Sequence, residues 1–560
     1  MKKVFIILTL LFFMGYPMLT FAYPSNSMVR VGIMDEKYTT VEKTNITVYS
    51  TSEIIMYDID KQEELATIPG GAELRISKSE GKYNLYYIDP NSEIEMEAKI
   101  DSDFILKVNE GVLGIKDLKR GGKPAQYRGE FRIISCPDKT DKFYLINCLD
   151  VEQYLKGVVP CEMPVSFGLE ALKAQAVAAR VYSLTPRTKV SRAYDVVDSV
   201  ASQVYYGYNR ENEISNKAID STHGLVALCD DEMIVAVFCS TAGGYTESYS
   251  NTFSDPITKQ FPSPQRKYLK ATPDLPQIKP LNNEEDAFNF YSTKPQSYDM
   301  TSPLYRWTKK WTKNELQNVL KTTLLVQSKA GFVEPKLLKS EDFGKLKEIK
   351  VTKRGESGKI VTMNIVTDKN TYTIGKELVI RRVFQKDGKA LPSANVVFKT
   401  INITDKVDNN DFDEIIAYGG GFGHGCGLSQ FGAKYMAQEC HLPFDIILKH
   451  YYNGICIGTK PVELGQKTIT QSFYQPFKNA TLVIPNKYHL KQLYLSINNQ
   501  DICVKTDNSQ RVEADISEYI KPQELNTVEF KSVDEFETHN IKNPTHLKKI
   551  KVYIKVENKS

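Results

Sequence analysis

From residue 23 to about 125 the chain alternates apolar and polar positions in short runs, as in Met28 to Met34, Ile100 to Val108 and Gly111 to Leu118, with Gly70-Gly71 and Gly121-Gly122 as punctuation. A period of two bounded by turn residues predicts strands, so this stretch reads as β-rich. Tyr127 to Ile133 and Phe143 to Asn147 follow as the two strands of a hairpin across Pro137-Asp138, and a short helix is expected at about Val151 to Lys156. The period then lengthens. Leu169, Leu172, Ala176 and Ala179 fall on one face at helical spacing, which predicts a helix from Leu169 to Leu184 with Ser166 as its N-cap and five alanines for close packing. Beyond Gly224, Leu225 and Ala227 and then Met233 to Phe238 read as a strand pair turning at Asp230-Asp231. The polar stretch 282–300 reads as a surface excursion and Trp307 to Leu320 as a helix. Lys347 to Thr352 and Val361 to Val366 read as strands joined through the turn chemistry of Arg354 to Gly358. Gln466 to Ser560 alternates again, most clearly from Lys549 to Val556. The pattern predicts an α+β protein: a mixed domain over 126–465, with β-sheet around an alanine-rich helix, between a β-rich N-terminal region 23–125 and a small C-terminal β module 466–560.

Composition narrows the class. With 560 residues, 25% charged, 41% apolar and 11% aromatic, this is an ordinary globular chain rather than a disordered, collagenous or coiled-coil one. Lys+Arg 72 against Asp+Glu 68 leaves +4, so bulk charge calls for neither nucleic acid nor an acidic lipid surface. Nine cysteines are too sparse and scattered for a disulfide scaffold, and an odd count leaves at least one unpaired within the chain. At the N-terminus, Lys2-Lys3, the apolar run Val4 to Met14, then Gly15, Pro17 and Thr20-Phe21-Ala22 have the order of a signal peptide over 1–22. The uncharged run Val4 to Ala22 also leaves the alternative of an uncleaved anchor in the bilayer. Both readings put everything from about Tyr23 outside the cytoplasm.

Several chemistries have no support. There is no Gly-x-x-x-x-Gly-Lys-Ser/Thr loop and no His-Glu-x-x-His helix, the glycines at 419–427 never satisfy Gly-x-Gly-x-x-Gly, and Gly427 to Gly432 misses the nucleophile elbow by one residue. Two segments do stand out. In Gly157-Val158-Val159-Pro160-Cys161-Glu162-Met163-Pro164 a single carboxylate sits among apolar residues between two prolines. Desolvation there raises its pKa, as a general acid requires; charge at the start of the following helix lowers it. The two readings predict opposite shifts. In Tyr418 to Ala433, six glycines fall within nine residues around His424, ahead of a helix from about Ser429 to Cys440. This is either a substrate-lining loop displaying His424 or a glycine-rich turn with a surface histidine.

Tyr127-Arg128-Gly129, Asn147 to Pro164, Leu169 to Tyr182, Ser202 to Gly207, Ser240 to Glu247 and Gly423 to Ala433 together resemble, block by block and in order, the stage II sporulation protein D and amidase-enhancer family over roughly 126–458. The resemblance implies a peptidoglycan lytic transglycosylase acting on glycan strands between MurNAc and GlcNAc, with Glu162 as acid and base. It implies Gln203, Ser240, Thr241, His424, Ser429 and Gln430 as contacts to sugar or intermediate. Arg180 and Tyr182 lie on a helix that can equally be core. Peptidoglycan strands and a wall amidase are the implied partners, at a wall-facing location.

The chain departs from the family in its cysteines: Cys161 stands before the Glu and Cys239 before Ser-Thr. Nothing in the sequence requires a cofactor, but His223, Cys229 and Cys239, with five and nine residues between them, suit Zn²⁺ chemically, with water, His424 or Cys426 as a fourth ligand. Buried apolar cysteines and a solvated histidine are the plainer reading. Two other functions compete: a non-catalytic wall protein that stimulates an amidase, and a thiol hydrolase with Cys161 or Cys239 as nucleophile and His424 as base.

Overall fold

A computed structural model describes residues 28–185, 191, 193–274, 278–402, 412–464, 467–485, 492–506, 509–531 and 550–558; the expected signal segment lies outside them. The alternating runs become strands, and the architecture is α+β. One eight-stranded sheet runs in the spatial order Val196–Val197, Met28–Gly32, Phe143–Asp150, Glu130–Ser135, Phe104–Lys107, Ile54–Asp58, Glu64–Ile68, with Glu42–Lys43 also on Phe143–Asp150. A six-stranded sheet built from segments between Asn45 and Tyr127 shares its hydrophobic core.

The expected boundary at 125/126 is therefore crossed by backbone hydrogen bonds. Phe131 opposes Leu106, and Asn147 opposes both Phe131 and Val31. The strand Phe143–Asp150 is buried continuously from Leu145 to Leu149, so both its edges need partners. The boundary at 465/466 is crossed likewise: Lys551–Glu557 pairs with Cys456–Thr459, which pairs with Leu225–Cys229, all in one seven-stranded sheet.

Between these sheets stands a helical layer. The strand Phe143–Asp150 passes without a loop into the helix Val151–Glu162, because the Asp150 carboxylate accepts from the Glu152 N–H at 2.9 Å and caps it. This helix was expected to stop near Lys156. It continues through Pro160, which withholds one N–H from the ladder, and ends on Glu162. The alanine helix Leu169–Leu184 matches its expected bounds and buries Ala171, Ala174, Ala176, Ala178 and Ala179, but Gly168 occupies its N-cap position while Ser166 lies in the preceding 3-10 turn. Asp230 and Asp231 make the expected turn, both with positive φ.

Residues from Trp307 to Ala417 carry a second core, with helix Lys313–Lys329 packed by a four-stranded sheet and a three-stranded sheet. Here the helix predicted from Trp307 is a strand, Trp307–Thr312, followed by the helix. Two tryptophans four apart satisfy a period of 2 as well as 3.6, and the capping box of Thr312 and Glu315 sets the true start. The stretch 282–300 is also more ordered than its polarity suggested: Asn283 caps a helix Glu284–Tyr291 that buries Ala287, Phe290 and Tyr291, and Asp299 is fully buried.

Candidate active site

Glu162 sits at the C-terminal end of its helix, half-buried, with its Oε1 accepting from the Val204 N–H at 2.6 Å. Burial pushes its pKa up to about 7, the Val204 bond holding it back. The helix dipole acts in the same direction as burial, since a carboxylate at a C-terminus faces partial negative charge. Of the two sequence readings, the structure thus favours the raised pKa: Glu162 terminates a helix instead of starting one. The hydroxyl of Tyr154 and the thiol of Cys161 lie in the same neighbourhood.

The donor to Glu162 is held rigidly. Tyr206 N–H bonds the Gly157 carbonyl at 3.3 Å, and a Cβ on Gly157 would lie 2.6 Å from the Tyr205 ring and 2.9 Å from the Gly207 carbonyl. Gln203 is fully buried beneath this segment; its Oε1 accepts from Tyr154 at 3.2 Å. It braces the segment from inside.

The two glycine-containing loops meet over the same helix end. Gln430 donates from Nε2 to the Glu162 carbonyl at 3.0 Å and to Gln175 at 3.2 Å. Phe431 N–H bonds the Ser240 carbonyl at 3.0 Å, and Phe238–Cys239 pairs in parallel with Leu428–Ser429. The buried Ser429 hydroxyl accepts from Ala242 N–H at 3.2 Å, and the buried Thr241 hydroxyl bonds Ser302 at 2.7 Å. Of the six expected sugar contacts, Ser240 and His424 keep partly exposed side chains, while Gln203, Thr241, Ser429 and Gln430 are internal braces.

Gly427 shows why the loop needs glycine: its φ is 71°, and a Cβ would lie 2.1 Å from the Val237 carbonyl. We expect Gly427→Ala to destabilise the fold by about 2 kcal/mol or more, from strain plus a displaced backbone, measured by denaturant unfolding.

Some bracing residues carry no local signal. Lys359, buried in the inserted core, bonds the His424 backbone carbonyl. Asn395 donates to the Ala242 carbonyl at 2.9 Å. Asp299 accepts from the N–H groups of Gly243 and Gly244 at 2.7 and 3.3 Å, and burial together with neighbouring Asp274 pushes its pKa up. Arg180 is wholly internal, paired with Glu152 at 2.7 and 2.6 Å, whereas Tyr182 packs against Phe238 with ring centroids 6.2 Å apart.

The zinc trio is not assembled. Among the described residues no three His, Cys, Asp or Glu side chains group so as to hold a metal ion. His223 precedes the strand Leu225–Cys229 and Cys229 ends it, so that strand alone separates them by roughly 13 Å; Cys239 lies on a different sheet. The two candidate thiols are also shifted away from reactivity. Burial pushes Cys161 up to about 11 and Cys239 up to about 12, against the lowered pKa a reactive thiol needs. His424 Nδ1 accepts from the Cys426 N–H at 3.1 Å.

Fold and site thus define an α+β protein built around one desolvated carboxyl at a helix end. The family described as Stage II sporulation protein matches residues 139–228, which hold Glu162, the alanine helix and Gln203. Domain of unknown function (DUF8618) matches 255–427, which hold the second core and His424. An amidase enhancer of Bacillus subtilis (strain 168) is 30% identical over 430 residues, 69% of this chain and 56% of that protein, so the chain spans about half the length of this relative. An uncharacterised protein of Brachyspira hyodysenteriae (strain ATCC 49526 / WA1) is 31% identical over 393 residues, 67% of this chain and 88% of that one. Stage II sporulation protein D of Bacillus amyloliquefaciens is 27% identical over 345 residues, 58% and 79%. The chain belongs to the stage II sporulation protein D and amidase-enhancer family.

Proposed function

We propose that this chain is a peptidoglycan lytic transglycosylase, cutting glycan strands between MurNAc and GlcNAc to leave 1,6-anhydroMurNAc ends during sporulation-related wall remodelling. The observation that carries the reading is the Glu162 carboxyl, half-buried, held by one backbone N–H and pushed up to about 7. A hydrolase that activates water needs two carboxylates across the bond. One suffices here. Protonated Glu162 gives its proton to the glycosidic oxygen as the C1–O bond breaks; the resulting carboxylate takes the proton of the C6 hydroxyl while that oxygen bonds C1, closing the anhydro ring and restoring the acid. Gln430, whose Nε2 bonds the Glu162 carbonyl, is followed by Phe431, whose N–H bonds the Ser240 carbonyl. On this reading the chain works outside the cytoplasm, released or held by its N-terminal segment.

A pH series on soluble glycan strands tests the acid role. The first step needs protonated Glu162, so kcat/KM stays level on the acid side and falls about tenfold per unit above roughly pH 7. A profile that rises steadily from pH 5 to pH 9 would contradict it.

The name of the Bacillus subtilis relative favours one second reading, a non-catalytic wall protein that stimulates an amidase. It differs in a measurable way: a Glu162→Gln variant would stimulate added amidase as well as the wild type.

A further inference from the structure

The charge of the whole chain conceals a partition. Trp307 to Ile401, which carry most of the second core, hold 20 Lys and Arg against nine Asp and Glu, an excess of 11 in a chain whose total excess is 4. The remainder is therefore net acidic. A surplus gathered on one module attracts an anionic partner to that module alone.

At one end of this module the surplus meets exposed apolar side chains. The helix Lys313–Lys329 buries Leu316, Leu320 and Leu324 and leaves Val326 and Lys329, one turn apart, exposed. The chain folds back from the helix end, with the Leu337 N–H donating to the Ser328 hydroxyl at 3.0 Å. This holds Lys336, Leu338 and Lys339 in solvent beside the helix terminus, Leu338 at 74% exposure. Val333 pairs with Ile374, so the strand Thr371–Gly375 delivers Lys376 to the exposed Phe332 ring, its Nζ 4.8 Å from the centroid. Exposed Leu378 follows two residues on. Little acid offsets these lysines. None of the four is in an ion pair among the described residues; Glu377 is buried and paired with Arg381 at 3.3 Å, Glu341 lies near Lys339, and Glu334 is exposed.

The combination selects the partner. A polyanion in water is held by charge and gives Leu338 nothing to enter. A bilayer surface with anionic headgroups takes both parts, ammonium groups at the phosphates and apolar tips at the acyl boundary, with the lysine stems spanning the two levels.

We propose that this end of the second core docks on an anionic phospholipid surface, with Lys329, Lys336, Lys339 and Lys376 at the phosphates and Val326, Phe332, Leu338 and Leu378 entering the interface. The docking face is independent of the chemistry at Glu162. The apolar run Val4 to Ala22, expected from the sequence as signal or anchor, brings the chain to the same surface, and two attachments on one chain hold it more tightly there than either alone.

The test is hydrogen–deuterium exchange of the full chain with vesicles of phosphatidylcholine, alone or mixed with about one-third phosphatidylglycerol. Reading only the peptides over 326–339 and 374–378 separates the docking face from any hold by the N-terminal segment. On the anionic vesicles these peptides should exchange about tenfold more slowly than on the neutral ones, and high salt should remove most of the difference. Lys329→Gln, Lys336→Gln, Lys339→Gln and Lys376→Gln together should abolish it, since each basic residue near such a surface contributes roughly fivefold in affinity. Leu338→Ser with Leu378→Ser should weaken it severalfold. Exchange over the buried helix residues Leu316 to Leu324 should stay as in wild type, which a folding defect would not allow. Equal exchange on neutral and anionic vesicles, or protection that survives the lysine substitutions, overturns the proposal. Protection by soluble poly(glycerol phosphate) that matches the vesicles and is indifferent to the leucine substitutions overturns the membrane in favour of an anionic wall polymer.

Discussion

Glu162→Gln is expected to lower strand cleavage by roughly a thousandfold, the range over which a positioned acid and base contributes. The amide keeps the shape of the side chain and an oxygen for the Val204 N–H, now 2.6 Å from the carboxylate, so the loss isolates the proton. Stability supplies the control, and its sign follows from the raised pKa. Folding favours the protonated carboxyl, so the stabilisation from this group is complete below its ordinary pKa near 4.5 and disappears as pH rises through about 7. The variant should match wild type near pH 4 and exceed it at pH 8, by at most about 3 kcal/mol. Unfolding titrations at the two pH values check this; a variant less stable at both would mean that the activity loss reports damage to the fold.

The largest effect on stability is expected at Arg180. Its side chain is fully inaccessible; Nε and Nη2 bond both Glu152 oxygens at 2.7 and 2.6 Å, and Nη1 bonds the Leu225 carbonyl at 3.0 Å. The Glu152 carboxylate also accepts from Gly224 N–H at 3.0 Å, joining the Glu162 helix, the alanine helix and the strand Leu225–Cys229. Arg180→Met would leave that carboxylate buried with one remaining donor, a loss of about 4 kcal/mol. Adding Glu152→Met should recover a large part of it, since two apolar side chains remove the unpaired charge. Denaturant midpoints for the two single variants and the double variant give the answer, and a double variant no better than Arg180→Met would show that the pair is not the cause.

Much of the fold was legible because local pattern and tertiary role agree. The alanine helix keeps its predicted bounds, its small side chains letting it be buried without a break from Ala174 to Val181, and the turn at Asp230-Asp231 is made by residues that tolerate positive φ. What misled was pattern with two solutions: Trp307 and Trp311 fit strand and helix alike. What was hidden was long-range pairing. No local signal tells that Lys551–Glu557 completes the sheet of Cys456–Thr459, or that Met28–Gly32 lies against Phe143–Asp150. The site shows the same division. Glu162 was visible as a lone acid among apolar neighbours. Gln203, Thr241, Ser429 and Gln430, expected at the sugar, turn inward to internal partners: Gln203 accepts from Tyr154, Thr241 bonds Ser302, Ser429 accepts from Ala242 N–H and Gln430 donates to the Glu162 carbonyl. Lys359 and Asp299, which help tie them, come from distant polar stretches where no spacing marks them.

On the proposed mechanism one carboxyl cuts glycan strands without water. The direct measurement is mass spectrometry of the products made from amidase-stripped strands by the full chain in water enriched in ¹⁸O. We expect muramic ends lighter by one water than hydrolysed ends and free of ¹⁸O, absent with Glu162→Gln. Reducing ends carrying ¹⁸O, or no cleavage by a wild-type protein that still sediments with the strands, would contradict it.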